Sequence, residues 1–547
     1  LTLEEMKQTT CDMELLDAQL TEMKELAAEA EAAGEAKDPE RVKELFGETL
    51  DEVEKLSTCY SLSQITYYQN IFDEENQEIQ AELLDDVMDY GDRLNVSIRE
   101  LCKSPYQNTM TELMNAEQVE AYLEYEEMTD EEKELTAKEN SLEQEYEQLS
   151  SEEFYYEYDG EEWDLNRLNM EADEMDHDAV VEIYQGICKQ RNDAVGEVFV
   201  ELVDVRNEIA KLNGYDNYAE YAYDAVYVRD YTLDETRDLL KEIRKHVVPV
   251  MADMKDVLND TDYMRLYTEG QGIESTSIIE QIGPYLEEID PELKDTQEHF
   301  LKYRLYDMDT SQNKANTAFT MRLSYFKDGF IYGQMYDNYM DYYNVIHEFG
   351  HYNNVYRSAD TFFESSNNID VSEIHSQGMQ MLFYDYYDEL LGEDIGDIYA
   401  FYDVYSMADN AISTALISEF EIAAYENPDM TLEELNKLYL QLSRRYGMQY
   451  DSKIRELYTW SEVPHIFTSP CYYFSYLTSA FSSLDILTMA EEDRHEAVET
   501  YMTLTTIPGY VPYCSAVEYA GLRDIFDDGV AQDIIEETAS ILGVKGY

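Results

Sequence analysis

Positive charge is the scarcest commodity in this 547-residue chain. There are 38 Lys and Arg against 120 Asp and Glu, a formal net charge of −82. Phosphate contacts need Lys and Arg, so this balance speaks against nucleic acid and against an anionic membrane surface. No run of 18 apolar residues occurs, so these residues hold no transmembrane helix. The glycine patterns that cradle dinucleotides and phosphates are missing, and there is no short internal repeat. The six Cys, at 11, 59, 102, 188, 471 and 514, form no pair with metal spacing. A chain this long needs no staples, so free thiols are expected. Histidine is rare too, 8 in all. Any cluster of histidines is therefore informative.

Two of the eight stand four residues apart in His347-Glu348-Phe349-Gly350-His351, an HExxH motif. With so few histidines, chance would place this pattern in roughly one or two of a hundred such chains. The surrounding stretch 339–356 repeats apolar or aromatic residues at Tyr342, Val345, Ile346, Phe349 and Tyr352, close to helical spacing. On a helix both imidazoles share a face and can reach one metal ion. Glu348 follows the first ligand, where a carboxylate can take a proton from water at the metal. Gly350 costs a helix about 1 kcal/mol relative to Ala. Close approach of another element would explain it.

A catalytic zinc site commonly has three protein ligands. Downstream candidates are Glu364, Asp370, Glu373 and His375. The stretch 369–388 reads as a second helix, with Asp370 or Ser372 as its cap. His375 lies about 200° around that helix from Glu373, so the two should not share a metal. Spacing leaves the choice of ligand open.

HEFGH followed by Val371-Ser372-Glu373-Ile374-His375-Ser376-Gln377 resembles the zinc oligopeptidases of the thimet oligopeptidase and oligoendopeptidase F family. The resemblance extends over about residues 180–540, including 205–227, 246–251, 317–338, 416–447 and 459–481. It implies Glu373 as third ligand and one Zn²⁺ per chain, held by His347, His351 and Glu373. His375 stands where that family has a small residue or proline, and is expected to be structural. The same resemblance implies a Pro-His and tyrosine-rich segment that closes over substrate, here 464–477. His465 and Tyr476 are its expected oxyanion and substrate contacts, with Tyr472 and Tyr473 as further candidates. Tyr hydroxyls and a His N–H are suitable donors to a developing oxyanion. Where relatives carry glycine, this loop reads Thr468-Ser469-Pro470-Cys471, a departure that bears on its mobility.

The expected architecture is mainly α. Two helical lobes flank a deep groove, with a small sheet beside the HExxH helix. Residues 1–180 form the N-terminal lobe and 181–547 the catalytic region. Beta-branched and aromatic residues around Asp328-Gly329 predict strands near 318–326 and 330–335 joined by a hairpin turn. A strand edge there could hold extended substrate. The acidic stretch 119–164 reads as long exposed helices, with a break near Tyr158-Asp159-Gly160.

The expected activity is zinc-dependent hydrolysis of internal bonds in short unstructured peptides. The negative field would favour basic ones. A carboxypeptidase or dipeptidase, and a non-catalytic peptide binder with a relict metal site, are the alternatives. The chain begins with Leu1, which suggests a removed leader and a secreted or envelope-attached bacterial protein, with a cytoplasmic location as alternative.

Overall fold

The computed structural model describes residues 1–124, 128–257, 259–270, 272–358, 368–448 and 457–547. The fold is mainly helical, as the periodicities predict. Long helices Met13–Ala33, Pro39–Gln69 and Glu74–Lys103 pack on one another. Each begins at an Asp whose side chain accepts from a backbone N–H in the first turn. Their apolar faces close a core of their own, from Leu16 to Val119.

The larger core gathers nearly everything from Val195 onward. It also takes Leu142 and Tyr146 from the acidic helix Asp130–Ser150, which packs along His177–Leu212. The acidic stretch is thus helical where its apolar spacing says so. The break at its end is a tight hairpin between Tyr156–Tyr158 and Glu161–Trp163. Asp159 and Gly160 both turn through positive φ there, at 53° and 80°. Among the described residues no helix is long and apolar enough to cross a membrane. All six cysteines are free.

Beside the HExxH helix lies a three-stranded sheet. Asp328–Gly333 is its middle strand, antiparallel to Ala318–Leu323 and parallel to Tyr306–Asp307. The hairpin turn falls earlier than the sequence predicts. Ser324–Phe326 and Lys327, at φ 50°, make the turn, while Asp328 and Gly329 open the next strand. Two contacts explain the shift. The buried Asp328 carboxylate accepts from Tyr352 Oη at 2.9 Å and pairs with His299 Nε2 at 2.8 Å. A Cβ at Gly329 would sit 3.0 Å from Val355 Cγ1. This glycine admits the HExxH helix to the sheet instead of making the turn.

Candidate metal and peptide site

The HExxH helix runs Asp341–Arg357. Its stripe of Tyr342, Val345, Ile346, Phe349 and Tyr352 is buried in the large core. Burial of the stripe fixes the helix and turns His347 and His351 to its other side. The second helix is Ile369–Phe383. Asn368 caps it, accepting from the Asp370 N–H at 3.1 Å, so neither Asp370 nor Ser372 is the cap. Gly350 sits where the two helices meet. A Cβ there would lie 2.4 Å from the His375 carbonyl oxygen and 2.7 Å from Ser376 Cα. The glycine inside the motif is therefore needed for contact between the two ligand-bearing helices.

His347, His351 and Glu373 form the one group of three or more potential metal ligands among the described residues. Glu373 Oε2 is 3.3 Å from His347 Nε2 and 3.4 Å from His351 Nε2. Donors on a tetrahedron with bonds of about 2.0–2.1 Å stand about 3.3–3.4 Å apart. The donor set and its spacing fit zinc. His347 Nδ1 contacts Gln380 Oε1 at 3.0 Å, which places the Nδ1 proton there and leaves the Nε2 lone pair toward Glu373. Gln380 in turn donates to Asp403 Oδ1 at 2.7 Å. Burial would raise the Glu373 carboxyl, but His351 and His347 outweigh it and hold it well below the usual carboxylate range. The site is electrically built for a cation.

Glu348 is buried, with 6% exposure, and lines the same cavity. Thr320 Oγ1, on the strand Ala318–Leu323, donates to Glu348 Oε2 at 2.8 Å and to its carbonyl at 3.0 Å. That strand is an edge of the sheet and borders the cavity, whose volume is about 630 Å³. Ser57 and Ser61, from the helix Pro39–Gln69, line its opposite wall.

The alternative ligands separate cleanly. Asp370 is committed elsewhere, as described below. His375 is buried outside the triad, and burial pushes it down to about 3, so it stays neutral. Glu364 lies outside the described residues.

Solved structures with this architecture are peptidases by name. PZ peptidase A, solved with an inhibitor, superposes with a TM-score of 0.76 at 22% identity, over 98% of this chain and 99% of that one. A protein from Bacillus anthracis assigned as an oligoendopeptidase F gives 0.70 at 22% identity, over 98% and 97%. Oligoendopeptidase F from Enterococcus faecium gives 0.58 at 14% identity, over 97% and 98%. The fold is that of oligoendopeptidase F. No protein-family model and no curated protein matches the sequence.

Within this oligoendopeptidase F fold, the segment 465–476 folds beside the triad. His465 packs against Tyr472, Tyr473 and Tyr476, with ring centroids 5.6, 5.1 and 6.0 Å away. Tyr472 lines the metal cavity. Burial raises the Tyr472 and Tyr476 hydroxyls, and the charge of Glu373 raises both further. Tyr473 is also raised by burial but feels Glu421 instead, so it faces away from the ligands. His465 is pushed down by burial and is neutral at pH 7, an N–H donor without a charge.

Sequence reasoning missed the groups that hold this segment. Arg229 is buried, and its guanidinium pairs with Asp370 through Nε at 3.1 Å and Nη2 at 3.2 Å. Nη2 also donates to the Cys471 carbonyl and to Ser475 Oγ, each at 3.1 Å. One side chain thus joins the start of the glutamate helix to the start of the tyrosine helix, Phe474–Glu492. Arg206, fully buried, donates to the carbonyls of Ile466 and Phe467 and to Glu139 and Glu143. Glu421 Oε1 accepts the Cys471 N–H at 2.9 Å, where Cys471 turns at φ 63°. The loop that lacks glycine is clamped at both ends. The available signal was the scarcity of cations: an Arg flanked by Tyr223, Tyr227 and Tyr231 marks a buried position.

Proposed function

We propose that this chain is a zinc-dependent oligoendopeptidase of the oligoendopeptidase F family, cutting internal bonds of short unstructured peptides. The observation that carries the reading is the convergence of His347, His351 and Glu373 at tetrahedral donor spacing, with Glu348 in the same cavity. A bound Zn²⁺, one per chain, would polarise the scissile carbonyl and lower the pKa of the attacking water. Glu348, oriented by Thr320, accepts the water proton and returns it to the leaving amine. Tyr476, Tyr472 and His465 are the donors that meet the carbonyl oxygen as it gains charge. The free edge of Ala318–Leu323 can pair with the peptide main chain, which selects extended chains without reading their side chains. Ser57 and Ser61 narrow the cavity from the other lobe, which supports peptide-sized substrates over folded proteins.

Glu348→Gln tests the assignment. It should lose nearly all peptide hydrolysis and keep one zinc per chain by elemental analysis. Loss of zinc with activity would make Glu348 structural. One observation favours a second reading, carboxypeptidase action: Arg322 lines the cavity, where a cation could meet a terminal carboxylate. Its guanidinium already donates to Ser358 Oγ at 2.8 Å. Products of a ten-residue peptide distinguish the two, since internal fragments arise only from endopeptidase action. The net charge adds a preference for basic peptides. Their turnover should fall more steeply with salt than that of acidic ones, and equal salt dependence would remove steering from the account.

A further inference from the structure

A second cavity, about 400 Å³ in volume, lies on the opposite side of the metal ligands from the one described above. Two of its walls come from the ligand helices themselves. Tyr343 precedes His347 by one turn, and its ring stacks on the His347 imidazole with centroids 5.5 Å apart. Gln377 follows Glu373 by one turn. A helical turn is about 5.4 Å, so this cavity begins within one side-chain length of the metal position. Met340, Met407 and Tyr402 supply much of the remaining wall.

The wall is apolar and aromatic, yet it carries polar atoms that nothing satisfies. Tyr399, 2% exposed, has a buried hydroxyl with no hydrogen-bond partner. Gln377, 7% exposed, has a buried Oε1 with none. Leaving such groups unpaired costs about 1–3 kcal/mol each, so their presence together at one cavity needs a reason. The single carboxylate on the wall, Asp403, is not available to a ligand. Its oxygens accept from Gln380 and Tyr387 at 2.7 and 2.9 Å. A cationic side chain would find no free counter-charge.

We propose that this cavity is the subsite for one of the two residues flanking the scissile bond, and that it takes tyrosine. The proposal rests on the peptidase reading above and gives it a substrate class. A phenol fits the aromatic wall, and its hydroxyl both donates and accepts. It can donate to Gln377 Oε1 and accept from Tyr399 Oη, satisfying both orphan groups at once. Phenylalanine fills the same space and leaves both unpaired. A site built to bond a hydroxyl discriminates strongly against the analogue that lacks it.

The test uses the zinc-loaded full chain and decapeptides that carry Tyr, Phe or Ala at each position beside a mapped cleavage point. At one flanking position kcat/KM should favour Tyr over Phe by on the order of 10- to 100-fold. Tyr399→Phe and Gln377→Leu should each bring that ratio to within about threefold. Met407→Trp should fill the cavity and disfavour Tyr and Phe relative to Ala at the same position. It keeps the test decisive if a polar variant fails to fold. Cleavage without a Tyr-over-Phe preference, or a ratio that none of the variants moves, overturns the subsite and leaves the peptidase assignment standing. No cleavage of any peptide by the zinc-loaded wild type overturns both.

Discussion

Replacing Arg229 by methionine perturbs the contact that ties the metal-ligand helix to the tyrosine segment. The Arg229 and Asp370 side chains are 1% and 2% exposed. Burial alone would lower the guanidinium, but Asp370 outweighs it and keeps Arg229 charged. Methionine removes the cation and fills much of its volume. Asp370 then keeps neutral donors only, Tyr231 Oη at 2.7 Å and Ser475 Oγ at 2.6 Å. Breaking one side of a buried pair costs about 3–5 kcal/mol, because a charge is left uncompensated. Asp370→Asn in the same chain removes that charge and keeps an acceptor. The double variant Arg229→Met/Asp370→Asn should therefore be more stable than Arg229→Met alone. Chemical denaturation gives the stability order. Peptide turnover gives the second readout: with the Cys471 carbonyl unanchored, kcat should fall by up to about 10²-fold while zinc content stays full. An Arg229→Met protein of wild-type stability, or a double variant as unstable as the sum of the singles, would refute the reasoning.

Other outcomes follow from the same geometry. Tyr476→Phe should lower kcat by about 10²–10³ with zinc retained, and an unchanged kcat would shift the oxyanion role to Tyr472. Gly350→Ala puts a Cβ 2.4 Å from the His375 carbonyl, so it should push the ligand helices apart, speed zinc loss to a chelator and lower Tm; wild-type zinc retention would show that the helices can adjust. Glu421 is pushed up to about 7 by burial, against an ordinary carboxylate value of about 4.3. The folded state holds its proton more tightly than the unfolded one. The stabilisation is full below about pH 4 and is lost as pH rises through about 7. The Tm difference between Glu421→Gln and wild type should therefore grow in the variant's favour from pH 5 to pH 8, and a constant difference would contradict it.

The helical character and the HExxH helix were legible because apolar spacing reports directly on buried faces. Tyr342, Val345, Ile346, Phe349 and Tyr352 are all in the core. Gly350 was legible as a close approach because a glycine inside a helix costs stability and needs a reason. The third ligand was not legible from spacing alone. Asp370 and Glu373 lie on one helix, and only the structure pairs the first with Arg229, 141 residues earlier in the chain. The hairpin turn was misplaced because Asp-Gly is also what a strand carries when the Asp bonds a buried tyrosine and the glycine admits a helix. The orphan atoms of Gln377 and Tyr399 were invisible for the same reason, since tertiary contact alone decides which polar groups are satisfied.

The central claim is zinc-dependent cleavage inside short peptides. Mass spectrometry of a diverse peptide mixture, digested by the chelator-stripped chain and by the same chain reloaded with one equivalent of zinc, tests it most directly. Internal fragments should appear with zinc and be absent without it. An intact peptide mixture in the presence of a stoichiometrically zinc-loaded chain would contradict the account.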